Sequence, residues 1–144
     1  MSVAGTRLKY LSVTDPAQLP WKDLDIDVVF ECTGLFDKSE DLEKHIKAGA
    51  KNVILSAPGK SPEIKTKVYG VTESGKGDQI VSCASCTTNS ITPVFEIMGR
   101  RFGIAKAMMT TIHAYTSTQG IVDGPAKKMR RGRAAAANIV PTTT

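Results

Sequence analysis

The chain has 144 residues, enough for one domain of ordinary size, with 41% hydrophobic and 23% charged residues. These proportions exclude a disordered or fibrous chain, and no apolar run approaches the ~20 residues that a membrane-spanning helix needs. The net charge of +5 comes from one basic segment, Lys127, Lys128, Arg130, Arg131 and Arg133; the remaining cations are matched by the 14 acids.

In chain order, Met1 to Arg7 holds no apolar core of signal-peptide length, so a cytoplasmic location is expected. Leu8 to Val13 reads as a strand, and Asp15-Pro16 and Pro20 then punctuate a loop. Ile26 to Cys32 is β-branched and nearly continuous in apolar character, the pattern of a strand buried on both faces of a parallel sheet. It runs into a turn at Thr33-Gly34. Ser39 is expected to cap a helix with Glu40 and Asp41 in its first turn, an apolar face at Leu42 and Ile46, and a stop at Gly49. Val53 to Leu55 is the next strand, ended by Ser56-Ala57-Pro58-Gly59. Lys67 to Val71 and Gln79 to Ser82 read as two more, separated by a turn at Gly75 to Asp78.

Strands that alternate with helical segments imply βαβ units and a mainly parallel sheet. Ligands of such sheets bind at the carboxyl ends of the strands. The turns at Thr33-Gly34, at Ser56-Ala57-Pro58 and at Ser82 to Cys86 are therefore expected to share one edge. Beyond them, Asn89 to Phe102 reads as a helix carrying Pro93, Ala105 to Tyr115 as a long strand carrying His113, and residues 116 to 136 as a long Gly-, Lys- and Arg-rich loop.

The most informative stretch is Ser85-Cys86-Thr87-Thr88-Asn89 with the later His113. It places a cysteine where a turn meets a helix. A helix N-terminus and an imidazole both favour the thiolate, the reactive form of a thiol. The plain alternative is a buried cysteine and a core histidine that never meet.

The segment Ser82 to Asn89 resembles the active-site motif of the phosphorylating glyceraldehyde-3-phosphate dehydrogenase family. Thr110 to Thr116 resembles that family's histidine strand. Val122 to Pro125, Arg130 to Ala136 and Asn138 to Pro141 resemble its long substrate-proximal loop and the segment after it. Upstream, Glu31-Cys32-Thr33-Gly34 and Ile54 to Pro58 resemble strand ends of its cofactor domain. The resemblance implies the later part of a Rossmann-type dinucleotide-binding domain over residues 1–84. The start of an α+β catalytic domain follows over 85–144.

It also implies the chemistry. Cys86 attacks the aldehyde of glyceraldehyde 3-phosphate and forms a thiohemiacetal, with His113 as base. Hydride passes to NAD, and inorganic phosphate releases 1,3-bisphosphoglycerate from the thioester. Backbone N–H groups after Cys86 suit an oxyanion. Ser85, Thr87, Thr116, Arg131 and Thr144 fall at the substrate and phosphate sites, and Thr33, Gly34 and Ser56 at the dinucleotide. Gly124-Pro125 resembles NAD-preferring members, with NADP the other option. The whole protein is expected to be a cytoplasmic homotetramer, with no metal, no membrane contact and no nucleic-acid partner.

The sequence departs from the family in two places. Cys83 stands where the family usually has Asn, and Ser90 where it often has Cys. Cys83 and Cys86 thus form a CxxC, read as a neutral substitution or as a reversible redox brake. No GxGxxG occurs, so an internal fragment that is inactive by itself is expected. Other readings are a sibling dehydrogenase for erythrose 4-phosphate or linked to NADP, a CxxC thiol–disulfide oxidoreductase, and a basic nucleic-acid-binding module at 127–133.

Overall fold

The computed structural model describes residues 1–72, 75, 77–122, 124–134 and 136–142. It divides into two compact units, Met1–Arg101 and Phe102–Thr144.

The first unit opens with a small antiparallel hairpin, β1 (Ser2–Val3) and β2 (Thr6–Arg7). Ala4 and Gly5 turn it with φ of 46° and 80°, the left-handed geometry of a two-residue hairpin turn. The expected strand at 8–13 is absent. Leu8, Tyr10 and Val13 are exposed; Leu8 exchanges backbone bonds with Met1 at the end of the hairpin, and no described strand pairs with the residues after it. An apolar run without a partner's N–H and C=O groups does not become a strand.

The main sheet contains β3 (Val28–Glu31), β4 (Asn52–Leu55), β5 (Lys65–Thr66) and β6 (Ile80–Ser82). Their order is β3-β4-β6-β5 and every pairing is parallel. Helix α1 (Ser39–Lys47) forms the crossover from β3 to β4 and packs on the sheet. The α/β class expected from the alternating pattern is thus present. The core of Val29, Leu42, Ala50, Val53, Leu55 and Ile64 lies between α1 and the sheet, with Trp21, Ile26 and Ile46 around it. Each fully buried Leu or Val here contributes roughly 1.5–3 kcal/mol of transfer free energy.

Burial is one-sided. Along β3, Val29 and Glu31 point inward, whereas Val28 and Phe30 are exposed. The continuous apolar run therefore does not mark burial on both faces here, because α1 covers only one of them.

At one end α1 differs from expectation, and at the other it matches. Ser39 is the first helical residue, and Lys38 holds the N-cap position without a side-chain bond. The capping acceptor comes instead from Ser61 Oγ, which takes the Ser39 N–H at 3.0 Å. At the other end the Gly49 stop is present. Gly49 (φ 107°) donates to Ile46 O and Ala50 to His45 O, the paired bonds of a Schellman motif. A Cβ at Gly49 would lie 2.5 Å from Lys22 Cβ and 2.7 Å from its backbone, so no side chain fits.

Past Thr66 the expected strand at 67–71 is a turn. Thr72 closes it, its N–H donating to Val68 O and its hydroxyl accepting the Val68 N–H at 2.7 Å. Helix α2 (Cys86–Phe102) follows β6 and contains Pro93. It begins three residues earlier than expected and exposes Val94, Phe95, Ile97 and Met98.

In the second unit, residues 105–115 form no strand and are exposed throughout. The same physical reason applies, since no described strand pairs with them. Short 3-10 turns occupy Ser117–Gln119 and Met129–Arg131.

Candidate active site

Three of the parallel strands end in turns that are joined to one another. The Ser56 N–H donates to Glu31 O at 3.0 Å, tying the turn after β4 to the end of β3. The Cys83 N–H donates to Leu55 O at 2.9 Å, tying the turn after β6 to the end of β4. Thr33, Gly34, Ser56 and the Ser82 to Cys86 segment therefore share the carboxyl edge of one sheet, as their sequence order suggested. Gly34 has φ 74°, a conformation a side chain would strain.

The cysteine turn is held by a set of directional bonds. Ser82, fully buried, donates its hydroxyl to Ala57 O at 2.7 Å and accepts the Ala84 N–H at 2.9 Å. One hydroxyl thus pins two turns. Ala84 is buried with φ 60°, a left-handed conformation that disfavours a β-branched side chain. Ser85 Oγ accepts the Thr88 N–H at 3.0 Å and lies 2.8 Å from the Thr88 hydroxyl, capping α2. Asn89 reaches back with its amide and donates to Cys83 O at 2.6 Å and to Ser85 O at 2.8 Å.

The result presents Cys86 as the exposed first residue of α2. That position combines access with the positive end of a 17-residue helix. Thr87 is buried beside it, and Cys83 is exposed. Cys32 is exposed too, between Glu31 and Thr33.

His113, Thr116 and Arg131 belong to the second unit. His113 is exposed, with Nδ1 2.6 Å from Ala114 O. The Thr116 N–H donates to Gln119 Oε1 at 2.7 Å, and the Gln119 N–H returns to Thr116 O at 2.9 Å. Arg131 closes the second 3-10 turn, its N–H donating to Lys128 O at 2.9 Å. Thr144 lies outside the described residues. Among the described residues no group of His, Cys, Asp and Glu could hold a metal ion, and no helix is long and apolar enough to cross a membrane.

Sequence reasoning gave no role to Ser82, Asn89 or Glu31, which build this edge. Asn89 had a visible signal, a side-chain amide three residues into a helix that starts at a cysteine. Ser82 and Glu31 each join one partner two residues away to one remote in sequence, Ala57 and His45, and the remote one left no signal.

Two family models match the chain. The model described as "Glyceraldehyde 3-phosphate dehydrogenase, NAD binding domain" matches residues 1–39, and that described as "Glyceraldehyde 3-phosphate dehydrogenase, C-terminal domain" matches residues 85–144. Curated proteins named glyceraldehyde-3-phosphate dehydrogenase are similar over nearly the whole chain. The Haloarcula vallismortis protein is 55% identical over 133 residues, 91% of this chain and 40% of the relative. The Thermotoga maritima protein is 49% identical over 144 residues, 99% of this chain and 43% of the relative. The Streptomyces coelicolor protein is 48% identical over 147 residues, 100% of this chain and 44% of the relative. The chain thus spans about two fifths of the length of the curated relatives it matches.

Proposed function

Because the chain belongs to the glyceraldehyde-3-phosphate dehydrogenase family, we propose that it carries the nucleophile of an NAD-linked oxidation of glyceraldehyde 3-phosphate. The observation that carries this reading is the placement of Cys86. It is the exposed first residue of α2, behind a turn held by Ser82, Ser85 and Asn89. The domain reading that goes with it assigns 1–84 to cofactor binding and 85–144 to catalysis.

The Cys86 thiolate adds to the aldehyde carbon and forms a thiohemiacetal. His113 takes the proton of that intermediate's hydroxyl. NAD supplies the hydride acceptor that turns the thiohemiacetal into a thioester. Inorganic phosphate then attacks the thioester carbonyl, Cys86 leaves as thiolate, and 1,3-bisphosphoglycerate departs. Ser85, Thr87, Thr116, Arg131 and Thr144 bind the substrate phosphate and the attacking phosphate through hydroxyl and guanidinium donors.

The residues present suit the dinucleotide at the sheet edge. The Thr33-Gly34 turn leaves open space around Gly34, where a Cβ would meet nothing within 4 Å, so a ligand can approach the backbone closely. Ser56 offers an exposed hydroxyl beside it. At full length the same reading includes a cytoplasmic homotetramer, which light scattering checks.

The test is made on the full-length protein. Cys86→Ser lowers kcat by on the order of 10³-fold or more, and iodoacetamide labels Cys86 with loss of activity in proportion. His113→Asn costs about 10²–10⁴-fold. Acyl phosphate formation that survives either Cys86→Ser or complete labelling overturns the reading.

A further inference from the structure

A line of polar groups, buried at His45 and Glu31, runs to the Thr33-Gly34 turn and takes no part in the cysteine chemistry. Trp21 Nε1 donates to His45 Nδ1 at 3.0 Å, and the two rings stack with centroids 6.2 Å apart. His45 Nε2 lies 3.2 Å from Glu31 Oε2. Glu31 Oε1 accepts the Thr33 N–H at 2.7 Å and also the Thr33 hydroxyl. The Thr33 oxygen in turn accepts the Leu35 N–H at 3.2 Å. His45 and Glu31 are each only 3% exposed.

The direction of every link is dictated from one end. An indole N–H can only donate, so Nδ1 of His45 must accept. The imidazole proton is then on Nε2, where it faces Glu31. Glu31 receives three donors, from His45, the Thr33 N–H and the Thr33 hydroxyl, an all-donor surrounding that suits an acceptor-only carboxylate. The chain starts in the loop before β3, passes through the last turn of α1, and ends on the turn at the carboxyl edge.

We infer that Trp21, His45 and Glu31 are positioning residues for the Thr33-Gly34 turn, and through it for bound NAD. This rests on the reading that Thr33 and Gly34 line the dinucleotide. An amide at position 31 cannot replace the carboxylate. If its NH2 faces Thr33, donor meets donor there. If its NH2 faces His45, the imidazole must carry its proton on Nδ1, which then meets the Trp21 N–H. The mismatch can be moved along the line but not removed while Trp21 remains.

In the full-length protein, Glu31→Gln raises the Kd for NAD on the order of tenfold, with kcat at saturating NAD within about twofold of native. Trp21→Phe in the Glu31→Gln background leaves NAD binding no weaker than Glu31→Gln alone, because His45 is then able to reverse. Losses that simply add would overturn the directed relay. The 15N shifts of His45 in the unliganded protein report the Nε2–H tautomer, and the Nδ1–H form would overturn it even if Glu31→Gln does not fold. Thr33→Val separates the two ideas. If it leaves NAD affinity unchanged, the cofactor role of the turn fails. If it weakens NAD while Glu31→Gln does not, the relay fails.

Discussion

Cys86 and His113 stand in two differently built regions. The Cys86 turn is anchored by bonds to residues far away in sequence, such as Ser82 to Ala57 and Cys83 to Leu55, on a sheet with a packed core. The 102–117 segment is exposed at every residue, and the second unit's bonds at Thr116–Gln119 and Asn138–Ala134 close short local turns. Long-range bonds fix the Cys86 turn in space. Local turns fix only the shape of a loop.

That contrast is breakable by experiment. The largest effect is expected from Leu42→Ala in the first unit, a loss of about 3 kcal/mol or more from a side chain with 0% exposure. Ile112→Ala, in the second unit at 92% exposure, is expected to change the unfolding free energy measured in urea by less than about 0.5 kcal/mol. Equal effects would erase the distinction. Gly49→Ala comes next, at about 2–3 kcal/mol, since both its φ of 107° and the Lys22 backbone oppose a Cβ.

Ser82→Ala sharpens the comparison rather than testing it. It leaves the Ala84 N–H without its acceptor and is expected to cost about 1–3 kcal/mol in thermal unfolding. It also speeds hydrogen exchange at Cys83 to Ser85 while 105–115 is unaffected.

The smallest effect is electrostatic. The Lys65 ammonium, 2.7 Å from Asp78 Oδ1, holds the Asp78 carboxyl below the usual carboxylate range, with Lys67 adding to it from 3.3 Å. A depressed acid stabilises the fold above its ordinary pKa near 4 and loses that contribution as pH falls through the folded-state value. The gap in urea midpoint between native protein and Asp78→Asn should therefore be visible at pH 7 and close in strong acid. A gap that widened on acidification would contradict the assignment.

Much of the first unit was legible in the residues themselves. The β-branched runs at Val28–Val29 and Val53–Ile54 are strands, and Leu42 lies on the buried side of α1. What failed were features decided by remote partners. Leu8 to Val13 and Ala105 to Tyr115 have strand composition but no described ladder. Ser39 looked like a cap, yet the capping oxygen belongs to Ser61, 22 residues away. The site divides in the same way. The motif around Cys86 announced its turn and helix, because Ser85 and Asn89 act within four residues. The Glu31, His45 and Trp21 line gave no sequence signal, since nothing local links them.

Trp21 is the one tryptophan of the chain, and it is stacked on His45 near the carboxyl edge of the sheet. The chain therefore carries a single indole, whose emission, excited to the red of the three tyrosines, reports one corner of one unit. An unfolding curve read by indole emission follows the release of the ring from its histidine. A curve read by far-UV circular dichroism follows mainly α1 and α2. Their coincidence or separation tells whether the sheet edge melts with the helices or before them.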